Sequence, residues 1–383
     1  MDAHSTFKSI GVIGAGQLAR MMQPAAIALG ITLKVFGEAE GSSAHQAVTK
    51  VGDYSDFDQL ADFAKTVDVI TFDHEHVPLA VLENLEASGV SVQPPSKALA
   101  FAQNKLHMRQ RLSLLGLPMP AWSEIKTAEE LDAFIAKQNG VAILKTPIGG
   151  YDGKGVRVVR SSADAGEWLQ NIENFGGSLL AEEKVDFVRE LAQLSARSTN
   201  AEFAAWSLVE TQQVDGVCSV VIAPAPRSTG ALLNRTSEIA KTIADGLGVT
   251  GVLAVEMFEA RDGRILINEL AMRPHNSGHF TIEGSVTSQF EQHLRAVLGL
   301  PLGSTEMRED YAVMVNLLGV DENNTFVEHF DKAMARHKAA KLHTYGKAAR
   351  RGRKMGHVTV VSDSLDFALA EAKGAAAVLL QGI

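Results

Sequence analysis

The sequence contains one cysteine, Cys218, among its 383 residues. A single thiol excludes an intramolecular disulfide and a metal site built from several cysteines, and it fits a reducing compartment. The chain also lacks any apolar run of about 18 residues, the length that spans a membrane. Its first residues lack the basic segment and long apolar stretch of a secretory signal. These absences predict a cytoplasmic protein without a membrane-spanning segment.

Basic residues are fewer than acidic ones, 36 against 45, which leaves a formal net charge of -9. Nucleic-acid binding requires a large basic surface, so we predict small-molecule partners and no nucleic acid. A local basic pocket is compatible with this charge. The hydrophobic fraction of 46% and the charged fraction of 21% describe a soluble globular protein. Because a chain of 383 residues exceeds one ordinary core, we expect two or three domains.

The stretch from Gly251 to His279 carries the strongest chemical pattern. Two apolar runs flank Asp262-Gly263, which is a two-residue hairpin signal. With that loop, Glu256 lies directly opposite Glu269, with Cβ atoms roughly 5 Å apart. Like charges so placed repel unless a cation lies between them, and carboxylates hold Mg²⁺ against nucleotide phosphates. We therefore predict a metal-nucleotide site, with a solvated hairpin face as the alternative.

The N-terminal segment has the pattern of a doubly wound α/β unit. A strand over 9–13 is followed by Gly14-Ala15-Gly16-Gln17-Leu18-Ala19 and a helix, and Glu38 follows the second strand. This glycine turn fits a dinucleotide site, but it equally directs a helix N-terminus at any phosphate. A nicotinamide-dependent oxidoreductase is therefore an alternative. Further along, Asp73-His74-Glu75-His76 follows an apolar strand, where such sheets bind ligands, so we expect substrate contact or a plain loop.

The middle of the chain contains two lysines and a glycine-rich loop. We predict one helix over 96–115, which carries Lys105, and a strand over 142–145 that ends in Lys145. Four glycines within residues 149–155 are typical of a mobile flap whose amides close on phosphate oxygens. The alternative is a flexible surface hairpin. The loop lacks the G-x-x-x-x-G-K-[ST] pattern of a Walker A motif.

Taken in order, two separated lysines, a glycine flap, an acidic hinge and a two-glutamate hairpin resemble the ATP-grasp superfamily. Four segments resemble its N5-carboxyaminoimidazole ribonucleotide synthetases: GAGQLARM (14–21), GGYDGKG (149–155), NELA through HNSGH (268–279) and GRKMGH (352–357). The resemblance covers essentially the whole chain. It implies an α/β fold with an N-terminal parallel Rossmann-like domain (1–103), a linker helix with a small α+β lid domain (104–187), and a C-terminal domain with a mixed or antiparallel sheet (188–383).

The resemblance also implies a reaction. Bicarbonate, activated by ATP as carboxyphosphate, carboxylates 5-aminoimidazole ribonucleotide in purine biosynthesis, with release of ADP and phosphate. ATP and Mg²⁺ would be the cofactors, and the protein would be a homodimer. Another ATP-grasp carboxylate-amine ligase and a non-catalytic nucleotide-binding regulator are alternatives. Gln17, Tyr151-Asp152 and the HNSGH segment favour the carboxylating ligase over the other ligases.

Residue roles follow from the same resemblance. ATP would be bound by Lys105, Lys145, Gly150, Tyr151, Asp152, Gly153, Lys154, Gly155, Val156, Glu182, Glu183, Lys184, Val185, Glu190, Asn268 and Glu269. Glu256 and Glu269 would hold Mg²⁺. Catalytic roles would belong to Asp152, Arg273, His275 and His279. The substrates would contact Gln17, Glu75, Tyr151, Asn276, Ser277 and a basic cluster of Lys347, Arg350, Arg353 and Lys354.

A few positions depart from the family pattern. Gln213 stands where a nucleotide-contacting histidine is usual, so we leave it out of the ATP site. Asp73 is an uncertain substitute for the first acid of the usual Thr-Glu-x-Glu-His segment. Ala19 replaces a glycine, and Met272 and Arg351 each replace a proline, which changes local backbone freedom without removing a functional group.

Overall fold

The computed structural model describes residues 8–150, 155–320 and 326–382. Its first sheet is parallel and has the strand order β3-β2-β1-β4. The strands are β1 (Ile10–Ile13), β2 (Leu33–Gly37), β3 (Val48–Val51) and β4 (Val69–Phe72). The helices of this part are α1 (Gln17–Leu29), α2 (Phe57–Ala64) and α3 (Leu79–Ala87). Alternate residues of β1 face opposite layers, since Val12 packs with α1 whereas Ile13 packs with α2 and α3.

A linker of two helices leads to the second sheet. The helices are α4 (Ser96–Gln103) and α5 (Lys105–Leu114). The prediction of one helix over 96–115 is wrong, because Asn104 has extended backbone and its side chain accepts the N–H groups of Leu106 and His107. This N-cap starts a new helix and places Lys105 in its first turn.

The second sheet is antiparallel, with the order β5-β8-β6-β7. Its strands are β5 (Trp122–Ile125), β6 (Ala142–Lys145), β7 (Val156–Val159) and β8 (Leu179–Glu183). One side is covered by α6 (Ala128–Lys137) and the short α7 (Gly166–Gln170). The helix α6 begins with the reciprocal hydrogen bonds of a capping box between Thr127 and Glu130.

The third sheet has nine strands within the described residues and is antiparallel. Its order is β14-β13-β9-β11-β12-β15-β17-β16, with β10 paired to β9. The strands are β9 (Phe187–Arg197), β10 (Phe203–Ala205), β11 (Val209–Val214), β12 (Val217–Ala223), β13 (Gly251–Ala260), β14 (Ile265–Ala271), β15 (Tyr311–Leu318), β16 (Lys341–Thr344) and β17 (Lys354–Ser362). The accompanying helices are α8 (Gly230–Leu247), α9 (Thr281–Gly284), α10 (Gln289–Leu298), α11 (Phe330–Arg336) and α12 (Leu365–Gln381).

The large sheet and the parallel sheet are tied together by α10. His293, fully buried on this helix, bonds Thr71 of β4 through Nε2 at 2.8 Å and accepts the Val252 N–H of β13 at 3.1 Å. Apolar residues of α10 also pack with α1. These contacts fix the carboxyl edge of the parallel sheet relative to the β13–β14 hairpin.

The predicted order along the chain, which is a parallel sheet, a small α+β unit and a large antiparallel sheet, is confirmed. The first two sheets lie within 1–103 and 104–187, and the third begins at Phe187, one residue before 188. The division into domains at these boundaries stays a prediction. None of the helices in the described ranges combines the length and the apolarity that crossing a membrane requires.

Candidate active site

The β13–β14 hairpin places Glu256 directly opposite Glu269, as predicted. The predicted two-residue loop is wrong, however. Ala260 pairs with Arg264 around a three-residue turn, in which Gly263 has a φ of 85°. This turn alone would put Asn268 opposite Glu256. A β-bulge restores the register, because the ladder passes from Met257↔Ile267 to Glu256↔Glu269 and leaves Asn268 without a direct partner.

The bulge decides whether the two acids can act together. Side chains alternate between the faces of a strand, so a shift of one residue moves every following side chain to the other face. In a regular ladder with this turn and no bulge, Asn268 would pair with Glu256, and Glu269 would lie on the opposite face. With the bulge, both carboxylates are on one face, and the charge of Glu190 on β9 acts on Glu256.

The carboxylate of Glu256 has a raised pKa. Burial, together with the nearby charges of Glu269 and Glu190, raises this pKa to about 7. Burial also raises the pKa of Glu190, whose carboxylate has no hydrogen bond from the described part of the chain. A cluster of acids that disfavours its own ionisation is a site that a cation would stabilise.

Lys105 and Lys145 reach this acid cluster from two different elements. The Lys105 Nζ lies 2.9 Å from Glu269 Oε1 and 3.4 Å from the Gly149 carbonyl oxygen. The Lys145 Nζ lies 2.7 Å from Glu182 Oε2 and 3.0 Å from Asn268 Oδ1. The linker helix α5 and the second sheet, called the lid sheet from here on, therefore each place a cation at the end of the hairpin.

Arg109 belongs to the same network, although the sequence reasoning missed it. Its guanidinium is fully buried and contacts Glu182 Oε1 at 2.5 Å, the Ile267 oxygen at 2.9 Å and the Asn268 oxygen at 2.7 Å. The available signal was its position one helical turn after Lys105, which puts both on one face of α5. Burial alone would raise the pKa of Glu182, but the charges of Lys145 and Arg109 outweigh it and hold the pKa at about 2.

The hinge between β8 and β9 spans residues 184–186. The Glu183 carboxylate accepts two bonds from Arg264, at 2.8 and 3.2 Å, and one from the Ala121 N–H at 3.2 Å. Lys184 is exposed and Val185 is half-buried. These contacts attach the end of the lid sheet to the turn of the hairpin.

A second group of predicted residues converges at the other side of the hairpin end. Glu75 accepts the Met272 N–H and the Arg273 Nε–H, each at 2.9 Å. Burial alone would lower the pKa of Arg273, but the charges of Glu75 and Asp73 more than offset it and raise the pKa. Gln17 of α1 accepts a bond of 2.6 Å from Lys347, so the N-terminal and C-terminal parts of the chain meet here.

His275 lies between these two groups and is neutral. Burial, together with the charges of Arg273 and Lys354, lowers its pKa to about 3. The Ser277 N–H donates to Nδ1, which leaves the proton on Nε2. That nitrogen lies 3.3 Å from Glu256 Oε1, so His275 donates to the acid.

Three residues with predicted substrate or catalytic roles, His279, Asn276 and Ser277, are buried in the loop of His275. His279 has no exposed surface and accepts a bond from Gln289 at Nδ1. Asn276 exchanges both amide hydrogen bonds with Asn316, and the Ser277 hydroxyl bonds His275. Their contact with the substrates, and the catalytic role of His279, stay predictions. They shape the loop that orients His275.

The four residues of the predicted basic cluster near the C-terminus have different surroundings. Lys347 contacts Gln17, Lys354 lowers the pKa of Glu256, and Arg353 donates to the Ala348 oxygen. Arg350 is exposed. The role of these four residues in binding the substrate stays a prediction.

The structure describes only part of the predicted flap. Tyr151, Asp152, Gly153 and Lys154 lie outside the described residues. Gly150 and Gly155 have φ values of 79° and 74°, a conformation that glycine adopts without strain. Val156 pairs with Lys145 across β6 and β7, so the flap is anchored at the lysine that reaches the acid cluster.

The glycine turn after β1 is filled by protein. Asp73 Oδ1 accepts the Ala19 N–H at 2.7 Å, and a Cβ at Gly16 would lie 2.0 Å from Asp73 Oδ2. Glu38 bonds His74 and the Ala15 N–H. The α1 N-terminus and the acid after β2, which a dinucleotide would need, are thus occupied by side chains. The oxidoreductase alternative loses its structural basis.

The acid pair fits Mg²⁺. Among the described residues, no group of three or more His, Cys, Asp or Glu side chains is arranged to hold a metal ion. Mg²⁺ bound to nucleotides is commonly held by one or two protein carboxylates and completes its octahedron with water and phosphate oxygens. Glu256 and Glu269 supply that number on one face.

Comparison with known proteins gives the same order of parts. Residues 7–103 match the family model of the ribonucleotide synthetase preATP-grasp domain, 110–290 the ATP-grasp domain, and 312–371 the phosphoribosylaminoimidazole carboxylase C-terminal domain. The N5-carboxyaminoimidazole ribonucleotide synthase of Mycobacterium tuberculosis is 47% identical over 360 residues, which cover 93% of this chain and 84% of that protein.

Two crystal structures from Aspergillus clavatus are also similar. One is carboxyaminoimidazole ribonucleotide synthase complexed with ATP, at 34% identity and a TM-score of 0.87. The other is N5-carboxyaminoimidazole synthase in complex with ADP and 5-aminoimidazole ribonucleotide, at 32% identity and a TM-score of 0.87. Each comparison covers 97% of this chain and 98% of the other.

Proposed function

The chain belongs to the N5-carboxyaminoimidazole ribonucleotide synthase family of ATP-grasp enzymes, and from this premise we propose how its residues share the work of the reaction. It is an ATP-dependent ligase of purine biosynthesis. It carboxylates 5-aminoimidazole ribonucleotide with bicarbonate and releases ADP and phosphate.

The chemistry sets three demands. A bicarbonate oxygen takes the terminal phosphoryl group of ATP, which gives carboxyphosphate and ADP. The carboxyphosphate carbon, directly or as CO₂, then forms a bond with the exocyclic amine, while phosphate leaves and the amine loses a proton. The protein must neutralise phosphate charge, hold two anions close together and keep water from carboxyphosphate.

Charge neutralisation falls to the network around the hairpin. Lys105 and Lys145 would contact the ATP phosphates, because both ammonium groups already lie at the end of the hairpin, where Glu269 and Glu182 hold them. Glu256 and Glu269 would hold Mg²⁺, which supplies positive charge to the phosphate oxygens. The backbone of Glu182, Glu183, Lys184 and Val185 would take the adenine.

The ribose of ATP would be recognised by Glu190. Its carboxylate is half-buried on β9 and has no hydrogen bond from the described part of the chain, so it can accept the ribose hydroxyls. The flap, Gly150 to Val156, would cover the phosphates. Asp152 and Tyr151 in it keep the catalytic and substrate roles that the family resemblance implies.

The carboxylation end is formed by Arg273, His275 and Glu75. Arg273 offers a cation, oriented by Glu75, for bicarbonate or the carboxylate of carboxyphosphate. His275 is a neutral donor beside Glu256 and would orient that acid. Gln17 and Lys347, bonded to each other, would meet the aminoimidazole ribonucleotide from two sides of the chain.

One observation carries the proposal. Two lysines, two glutamates and a histidine from the linker helix, the lid sheet and the large sheet converge at the end of one hairpin. The test is ADP release by the purified chain with 5-aminoimidazole ribonucleotide and bicarbonate omitted in turn. We expect release to require the ribonucleotide and to be unaffected by NAD(H). Strong NAD(H) binding without ATP turnover would contradict the ligase function.

Mg²⁺ dependence, a homodimer and a cytoplasmic location are predictions from the family resemblance. The facing carboxylates support the first, and titration of ADP release with Mg²⁺ after EDTA treatment tests it. Sedimentation equilibrium tests the dimer. The location follows from the single cysteine and from a reaction of small-molecule metabolism.

A further inference from the structure

We propose that Arg109 is a positioning residue of the metal site, which holds the β-bulge at Asn268 and thereby keeps Glu269 on the same face as Glu256. The inference rests on the proposed role of these two acids as Mg²⁺ ligands. Arg109 itself does not touch the carboxylate of either acid in the contacts described above. It acts through the backbone of the strand that carries Glu269.

The contacts of Arg109 are specific to the bulge. Two of its nitrogens bind the carbonyl oxygens of consecutive residues, Ile267 and Asn268, at 2.9 and 2.7 Å. In a regular strand, consecutive carbonyl groups point to opposite sides. Two neighbouring carbonyls can meet one planar guanidinium here because the bulge turns one of them. The guanidinium therefore favours the bulged register over the regular one.

The position of β14 explains why this support is needed. β14 is an edge strand of the large sheet, so no other strand of the described residues lies on its outer side to fix its register. That side is covered by Arg109 and by the Pro118 carbonyl, which accepts the Ile267 N–H at 2.9 Å. Both belong to the segment of α5 and the linker that follows it. The linker segment thus replaces a partner strand.

The same guanidinium completes a closed ring of contacts among four residues. Arg109 binds Glu182, Glu182 binds Lys145, Lys145 binds the Asn268 side chain, and the Asn268 carbonyl returns to Arg109. The ring includes Asn268, the extra residue of the bulge, and Lys145, which we propose to contact the ATP phosphates. Loss of Arg109 would therefore free the backbone on which Glu269 sits and leave Glu182 with Lys145 alone.

A purely structural arginine is the alternative, and Arg189 provides a matched control. It too is a buried arginine with carboxylate partners, Glu210 and Glu259, and a carbonyl partner, Pro226. It lies on β9, away from the bulge, and points to the face opposite Glu190. Arg189→Met should reduce stability, as Arg109→Met should, without moving Glu269.

The experiment measures binding of Mn²⁺ alone by the loss of the free-ion electron paramagnetic resonance signal. The difference in Mn²⁺ binding between wild type and Glu269→Gln shows how much of the binding belongs to the proposed metal site. We expect Arg109→Met to weaken Mn²⁺ binding about 10-fold or more, the usual effect of losing a residue that orients a ligand. Arg109→Lys should also weaken it, because an ammonium group cannot bind both carbonyls as a guanidinium fork does. Arg189→Met should bind Mn²⁺ with the affinity of wild type, because it loses no contact that orients a ligand.

Arg109→Lys keeps a cation beside Glu182 and so decides the matter if Arg109→Met fails to fold. Wild-type Mn²⁺ affinity in either folded Arg109 variant would overturn the inference while the proposed metal site stands. An equal loss of affinity in Arg189→Met would also overturn it, since the effect would then follow stability. If wild type and Glu269→Gln bind Mn²⁺ equally, the proposed metal site fails, and this inference fails with it.

Discussion

Glu256 should destabilise the metal-free protein at neutral pH, and replacing it with glutamine should make that protein more stable. Its pKa rises from 4.5 to about 7 on folding because of burial, Glu269 and Glu190. The folded state therefore binds the proton more tightly than the unfolded state. The resulting cost is absent below pH 4.5, develops between pH 4.5 and 7, and is constant above.

The magnitude follows from the same shift. A rise from 4.5 to about 7 corresponds to about 3 kcal/mol. One third of the Glu256 side chain is exposed, and solvent screening reduces the expected value to about 1–2 kcal/mol. Glu256→Gln should exceed wild type by that amount near pH 8 in EDTA and match it closely near pH 4, below the unfolded pKa of 4.5. Glu269→Gln should gain less, because it also loses the ion pair with Lys105.

Urea denaturation of wild type and both variants in EDTA at these two pH values measures the effect. Mg²⁺ should reverse the order, because an ion that binds only the folded wild type stabilises it by mass action. ADP release should nearly disappear in both variants, since the metal loses a charged ligand. A Glu256→Gln protein that is less stable than wild type near pH 8, with activity retained, would refute the reasoning.

Three further changes test the contacts around the site. Glu182→Gln should cost about 3–5 kcal/mol at pH 7 by breaking a buried ion pair, and urea titrations should show the gap to wild type closing as pH falls from 4.5 toward 2, where this acid is protonated. Gly16→Ala should cost about 1–2 kcal/mol by displacing the Asp73 carboxylate from the α1 N-terminus, whereas the control Gly166→Ala meets no neighbouring atom and should not destabilise the protein in the same assay. Burial lowers the pKa of His293 from 6.5 to about 3, so wild type should lose stability as pH falls through this range, and His293→Asn, which cannot titrate, should lose less when both are followed by circular dichroism.

The register of the β13–β14 hairpin shows what could be predicted from the sequence and what could not. The sequence pairs Glu256 with Glu269 correctly, but through two errors that cancel. The turn takes one residue more from β13 than predicted, and the bulge adds one unpaired residue, Asn268, to β14. The turn follows local backbone rules, in which Gly263 is the expected left-handed residue. The bulge leaves no periodic signal in β14, because its cause lies in Arg109.

The sequence by itself determined the elements whose cause is local. The glycine turn after β1, the helix caps, the hairpin and the order of sheets follow from backbone preferences and side-chain periodicity over a few residues. The residues of the acid cluster were also predictable, since lysines and glutamates on apolar strands are costly without a partner.

The tertiary structure alone decided which partner each charge has. Arg109 and Glu182 are 73 residues apart, Lys145 and Asn268 are 123 apart, and Glu75 and Arg273 are 198 apart. No local pattern encodes such pairs, because each depends on how separate sheets pack. The burial of His279 has the same origin, because residues of other elements, such as Gln289 of α10, enclose it. Burial and charge pairing are properties of the packed chain, and they select which of the predicted residues reach the site.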